Sequence, residues 1–336
     1  MCPKEEVMKA LALLSGGLDS TLAIKVVLEQ GIDVVAVNFY TPFCLCNRKG
    51  SCKNEARRVT EEFGIELKVI NLSFQHLEIV KNPKHGYGKN LNPCIDCRIL
   101  MLKHAKKLME EKGASFIITG EVLGQRPMSQ YLAALKIIER ESGLGGLVLR
   151  PLSAKLLPLS IPEKEGWVNR EKLLEISGRS RKPQINLAAK YGIADYPCPA
   201  GGCLLTDRGF AQRMKDLMAH SEITLNDIDL LKTGRHFRLS LKTKLVVGRN
   251  KEENERLLRL ANTDDICFKP VEVKGPIGIG RGDFGQTTIF LASKIMARYS
   301  DAHDEARIAY QRLPGGEIGS TTTKPMKDME LQKLRI

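Results

Sequence analysis

The 336-residue chain is predicted to fold as an α/β protein, a doubly wound parallel sheet followed by a smaller α+β domain. Three observations lead there. Short runs of valine, leucine and alanine alternate with helical stretches through residue 150, the pattern of a parallel sheet covered on both faces. Glycines stand at the expected helix ends, at Gly31, Gly64 and Gly113. Beyond residue 150 the rhythm changes, first to a connector with three prolines in residues 151–165, then to apolar residues alternating with basic ones.

Taken in order, residues 9–14 read as a buried strand, 15–20 as a glycine-rich turn and 21–30 as a helix. Strands are expected at 33–40, 67–71, 115–119 and 147–150, with helices at 54–63 and 97–112. Residues 166–193 look helical and basic, and 196–202 form a Pro/Gly loop. Later come a helix at 210–220, strands from 235, a charged helix at 250–261, a glycine-rich loop at 275–285 and a helix at 289–299. The polar tail from 315 is expected to be partly disordered. The implied domains are 1–165, a helical and basic linker region 166–231 that carries Cys198 and Cys203, and 232–336.

Composition narrows the class. With 43% hydrophobic and 27% charged residues the chain is globular, so general disorder is excluded. No apolar run approaches the roughly 18–20 residues of a membrane span, and residues 1–14 do not resemble a signal peptide. A soluble cytoplasmic protein without a membrane partner is expected. The net charge is +13, and residues 232–336, with 20 basic and 13 acidic residues, supply +7 of it. Such an excess suits a polyanionic partner, most often nucleic acid, although a generally basic surface would give the same count.

Residues 15–20, Ser-Gly-Gly-Leu-Asp-Ser, lie between the first strand and first helix. Gly16 and Gly17 allow a tight turn and close approach to a ligand. The helix start offers free N–H groups to an anion, and Ser15 and Ser20 add hydroxyls. Asp19 would repel bare phosphate but suits magnesium-bound phosphate. The Gly-Lys-Ser/Thr ending of a Walker A loop is absent.

This hexapeptide resembles the PP-loop of the N-type ATP pyrophosphatases, which implies cleavage of ATP between its α and β phosphates within a HUP-like sheet. Thr119-Gly120-Glu121-Val122-Leu123-Gly124-Gln125, with Ser129-Gln130, and the stretch Val148-Leu149-Arg150-Pro151-Leu152 are similar to segments of the tRNA 4-thiouridine synthetases, the ThiI family. The resemblance spans roughly residues 9–205. It implies a tRNA sulfurtransferase that adenylates a uridine and replaces its oxygen with sulfur, giving 4-thiouridine at position 8. ATP and Mg²⁺ would be held by Ser15, Gly16, Gly17, Asp19, Ser20, Thr119, Gly120 and Gln125, with Asp19 and Cys203 catalytic. A 2-thiouridylase of the same class, an RNA-binding protein with a non-thiolating nucleotide site, and adenylation of a non-RNA substrate are the alternatives. Only eight residues precede the first strand, so a short form without THUMP modules is expected.

Nine cysteines in an intracellular chain are not expected to pair as structural disulfides, and seven fall in three clusters. Cys94 and Cys97, with Cys203 as third partner and Cys198 as its rival, suit one metal or sulfur site just before a helix, whose N-terminus would lower their pKa. The family resemblance implies a [4Fe-4S] cluster with one open iron. A persulfide relay through Cys203 and a structural zinc site completed by Cys198 remain open. Cys44, Cys46 and Cys52 could bind zinc, add a ligand, accept sulfur or be plain reduced thiols. The sulfur donor would be sulfide or a cysteine desulfurase product, and homodimerisation is left open.

Two basic stretches are candidate tRNA contacts. Arg179, Arg181 and Lys182 lie in the run 177–182, where solvated helix-end charge is the plain alternative. Residues 235–250 resemble an NFACT-R type RNA-binding module. One strand face is expected to carry Arg238, Lys242 and Lys244, with apolar residues opposite.

Overall fold

The computed structural model describes residues 8–44, 52–194, 196 and 202–336. They form two compact units, Met1–Thr206 and Asp207–Ile336. The 166–231 stretch is shared between them: residues through 206 pack with the first unit and two later helices with the second. Among the described residues no helix is long and apolar enough to cross a membrane.

The first unit is built on β1 (Lys9–Leu13), α1 (Leu18–Leu28), β2 (Asp33–Tyr40), α2 (Cys52–Phe63), β3 (Glu66–Asn71), α3 (Ser73–Lys81), α4 (Cys94–Glu111), β4 (Phe116–Thr119), α5 (Leu132–Ser142), β5 (Val148–Leu149), α6 (Ile161–Lys164) and α7 (Lys182–Lys190). The strands lie in the order β3-β2-β1-β4-β5, and all four pairings between neighbours are parallel. β4 is buried along its whole length and β1 after its first residue, which is why both read as continuous apolar runs. Leu11, Val35 and Ile117 face one core, with α4 and α5 over it. Ala10, Ala36 and Phe116 face a second core, with α1 and α2 over it. The chain order reverses direction between β1 and β4, and ligands of such sheets bind beyond the strand ends at that point.

The second unit holds α8 (Arg208–His220), α9 (Leu225–Leu231), β6 (Arg235–Ser240), β7 (Thr243–Val247), α10 (Lys251–Leu260), β8 (Ile266–Pro270), β9 (Gly278–Gly282), α11 (Gln286–Arg298), β10 (Ala306–Arg312), β11 (Ile318–Thr323) and α12 (Asp328–Leu334). Its antiparallel sheet runs β11-β10-β8-β9-β7-β6, with Phe237, Leu245 and Phe268 packed against Ile295 and Met296 of α11.

Several expectations are corrected. Residues 166–181 carry only one short 3-10 turn, Arg170–Lys172, because Gly166 and Gly178 take positive φ and interrupt any helix. The glycine-rich 275–285 stretch contains a strand, β9. Its glycines are required by packing: a Cβ on Gly278 would lie 2.6 Å from the Met296 sulfur, and one on Gly280 2.4 Å from the Phe284 ring. The tail is ordered. β11 pairs with β10, Met326 and Leu331 are buried in the core, and Ile336 N donates to His236 O. Helices α3 and α5 were not anticipated at all.

Candidate active site

The loop after β1 turns at Gly16, whose φ of 76° is left-handed. Ser20 Oγ donates to Gly17 O at 2.8 Å, accepts from Ser15 N at 3.2 Å, and meets Ser15 Oγ at 3.1 Å. Helix α1 begins inside the loop, at Leu18, three residues earlier than expected. Its N-cap, Gly17, supplies no side-chain hydrogen bond, so the first-turn N–H groups lack side-chain acceptors.

The loop after β4 closes on it. A Cβ on Gly120 would stand 2.5 Å from both N and Cα of Ser20, so only glycine permits this approach. From the same loop Gln125 Nε2 donates to Asp19 Oδ2 at 3.0 Å. Arg181 Nη2 reaches that oxygen at 2.9 Å, while Asp19 Oδ1 is buried without a hydrogen-bond partner. Such an orphan carboxylate oxygen is costly to bury and fits a cation not present here. The bare helix start and the Asp19 oxygen thus suit Mg²⁺-bound polyphosphate.

Thr119 Oγ1 donates to Glu121 Oε2 at 3.3 Å, placing Thr119 behind the loop. Glu121 is 2% exposed and receives Arg150 Nε at 3.0 Å, with Arg98 Nε 3.4 Å from its other oxygen. Arg150 also pairs with Glu139. Burial raises the Glu121 carboxyl, but Arg98 and Arg150 outweigh it and hold the group below the usual carboxylate range. Sequence reasoning noted both motifs and missed that Glu121 and Arg150 are one buried ion pair.

Cys94 and Cys97 lie in the first turn of α4, not before it, three residues apart and so on one face. Because α4 leads into β4, its N-terminus stands at the carboxyl edge of the sheet. Cys44 follows β2 at that same edge and pairs with Cys203 as an antiparallel bridge, while Leu204 N donates to Phe43 O at 2.8 Å. Each of these cysteines is a free thiol with part of its surface accessible. Burial is nevertheless the leading influence on three of the sulfurs. It pushes Cys97 up to about 12 against Arg98, with the charges of Cys94 and Cys44 adding to the rise. It pushes Cys203 up too, with Cys97, Cys44 and Cys94 as further contributors, and raises Cys94 against Arg126 and Arg98. Desolvation thus opposes the lowering expected from the helix end.

The four thiols share one electrostatic neighbourhood. Among the described residues, however, no three His, Cys, Asp or Glu side chains are gathered as a single ion would hold them. A cubane spreads its thiolates over different irons and asks for less compact donors than tetrahedral zinc does. The donor set fits a cluster in chemistry, since protonated thiols exchange their protons for metal. Cys46, the Cys52 side chain and Cys198 lie outside what the structure describes.

Of the basic candidates, Arg179 and Lys182 are exposed, whereas Arg181 is engaged by Asp19. In the second unit the expected strand face does not form. Arg238 is on β6 and paired to Asp216 at 2.5 Å, Lys242 is in the hairpin turn, and Lys244 is buried on β7, 3.9 Å from Asp216. Burial pushes the Lys244 ammonium down to about 8 in spite of Asp216. Of these three, only Lys242, 79% exposed at its side chain, is presented to solvent.

The sheet order, the serine-glycine loop under a bare helix start, and a second glycine loop packed against it are those of a PP-loop type of α/β domain. Residues 6–155 match the family model "Thiamine biosynthesis protein (ThiI)", and residues 234–335 match "NFACT protein RNA binding domain". One part of the chain is thus similar to the ThiI family model and another to the NFACT RNA-binding model, each over less than half of its length. It is 31% identical over 144 residues to the "Probable tRNA sulfurtransferase" of Thermococcus kodakarensis, covering 43% of this chain and 36% of that protein. To the protein of that name from Lysinibacillus sphaericus it is 32% identical over 161 residues, 47% and 38% of the two chains. The chain thus spans little over a third of the length of these relatives. A solved 4-thiouridine synthetase–RNA complex with bound ATP aligns over 55% of this chain and 52% of its own, at 27% identity and a TM-score of 0.37.

Proposed function

We propose that the protein is a cytoplasmic, ATP-dependent tRNA sulfurtransferase that forms 4-thiouridine. The uridine O4 attacks the α-phosphorus of ATP, the bond to the β-phosphate breaks, and pyrophosphate leaves. Sulfur then attacks C4, a C–S bond forms, and AMP departs with the former uridine oxygen. Asp19 would hold magnesium, which would offset charge on the departing pyrophosphate, and the α1 N–H groups would bind the phosphates. Ser15 and Ser20 fix the loop, and Gly120 and Gln125 set its distance from the β4 edge. Cys94, Cys97 and Cys203 would hold a [4Fe-4S] cluster, which would supply a binding place for sulfide. The NFACT-R module, with Lys242 at its hairpin, and the exposed Arg179 and Lys182 are assigned to tRNA phosphates.

One observation supports placing adenylation and sulfur delivery in one centre. Desolvation, and then Arg98, push the Arg126 guanidinium below its ordinary value, while Cys94, Asp19 and Glu121 oppose the shift. A single guanidinium thus senses both the nucleotide loop and the thiols. The test is pyrophosphate release from ATP by the anaerobically purified protein, with sulfide, with and without tRNA. Release stimulated by tRNA, with sulfur appearing in the tRNA, is expected. ATP binding with neither result would favour an RNA-binding protein with a non-thiolating site.

A further inference from the structure

We propose that Arg181 is a ligand for the phosphates of ATP, held on Asp19 until magnesium takes its place. The inference rests on the nucleotide-binding reading above and goes beyond it, because the basic run around Arg181 was assigned to RNA. Arg181 Nη2 lies 2.9 Å from Asp19 Oδ2, an oxygen that also accepts Gln125 Nε2 at 3.0 Å. Both donors crowd one oxygen, while Oδ1 is buried and has none. An arginine–carboxylate pair built only for stability tends to be forked across both oxygens. This one leaves the second oxygen unused at the mouth of the PP-loop.

The side chain is also placed by its own segment. Ser177 pairs in parallel with Leu123, and Gly178 N donates to Leu123 O at 2.7 Å. Arg181 is thereby carried beside the same loop that brings Gln125 to Asp19. Its neighbours Arg179 and Lys182 are exposed, whereas Arg181 is 24% exposed at its side chain. The basic run therefore divides into one residue engaged at the nucleotide loop and two at the surface.

The charge arithmetic supplies the switch. Asp19 carries one negative charge and is neutralised here by one guanidinium. Magnesium, a hard cation that prefers carboxylate oxygen, arrives with the nucleotide and replaces that neutralisation. Arg181 is then a planar, permanently charged donor beside an arriving polyphosphate, the geometry for which guanidinium is suited.

The experiment measures binding of magnesium α,β-methylene-ATP and, separately, of tRNA over a salt series, using the full chain and its Arg181→Ala, Arg181→Lys and Arg179→Ala variants. For Arg181→Ala, at least tenfold weaker nucleotide binding and an unchanged tRNA salt slope are expected. Arg181→Lys, which keeps the cation and the local packing, should recover part of the loss, and Arg179→Ala should bind nucleotide as the wild type does. Wild-type nucleotide affinity in Arg181→Ala, or a salt slope lower by about 0.9 without loss of nucleotide binding, overturns the proposal. Equal losses in Arg181→Ala and Arg181→Lys also overturn it, since a phosphate ligand should tolerate a second cation. If the wild type itself binds no nucleotide, the underlying PP-loop reading fails, and this outcome is distinct from the others.

Discussion

Replacing Gly120 by alanine probes the closest backbone approach in the candidate site. The added Cβ would stand 2.5 Å from Ser20 N and Cα and 2.6 Å from the Asp19 carbonyl carbon. All three atoms are backbone, so no side-chain rotation relieves the contact. Ordinary contact begins near 3.4 Å, so the β4 loop and the PP-loop must separate by roughly 1 Å. Forced overpacking of this kind costs about 1–3 kcal/mol. A Tm drop of about 2–4 °C per kcal/mol follows for a unit of this size. The functional loss should be larger than the stability loss, because a displacement of about 1 Å at a reacting centre can cost on the order of 100-fold in rate. Thermal melting and ATP-dependent pyrophosphate release measure the two effects. Gly145→Ala is the control: nothing lies within 4 Å of its Cβ position, so both quantities should stay at wild type. Wild-type melting and pyrophosphate release in Gly120→Ala would refute the close-approach argument.

Further outcomes are expected elsewhere. Asp19→Ala should abolish pyrophosphate release yet keep tRNA affinity, read by filter binding, because Asp19 is assigned to magnesium and not to RNA. Arg150→Leu leaves Glu121 and Glu139 short of a buried partner and should cost about 3–5 kcal/mol in denaturant unfolding. Burial lowers the Lys244 pKa from 10.5 to about 8. The unfolded chain therefore binds the extra proton between those values, and stability should rise with pH through that window. The difference between wild type and Lys244→Met, followed by denaturant unfolding, should show this rise, and a flat difference would remove the buried ammonium from the account. Cys94→Ala, Cys97→Ala and Cys203→Ala should each lose iron and thiolation in anaerobic Mössbauer and activity measurements, while Cys198→Ala keeps both. Zinc in place of iron, or a dead Cys198→Ala beside a live Cys203→Ala, would redirect the ligand assignment.

What the sequence made legible was chiefly local. The apolar runs at residues 9–14 and 115–119 read as buried strands because a parallel sheet buries both faces and leaves no polar alternation to decode. The Ser-Gly-Gly-Leu-Asp-Ser loop was readable because its chemistry is contiguous. The partners of those residues were not. Arg181 meets Asp19 across 162 positions, and Cys44 meets Cys203 only because the chain after β2 pairs with a distant segment. Lys244 looked like an RNA contact because alternation marks a strand without saying which face its sheet and helices cover; Asp216 and burial decide that. The glycines of 275–285 suggested a loop, whereas Met296 and Phe284 occupy the space where side chains would be. The polar threonines of β11 concealed an edge strand for the same reason, since its order comes from pairing with β10.

The central proposal is that this chain forms 4-thiouridine in tRNA, and the most direct measurement is nucleoside mass spectrometry of tRNA from cells with and without the protein. Loss of 4-thiouridine in the deletion, restored by the wild-type chain and not by Asp19→Ala, is the predicted result. An unchanged 4-thiouridine content, or loss of 2-thiouridine instead, would contradict it.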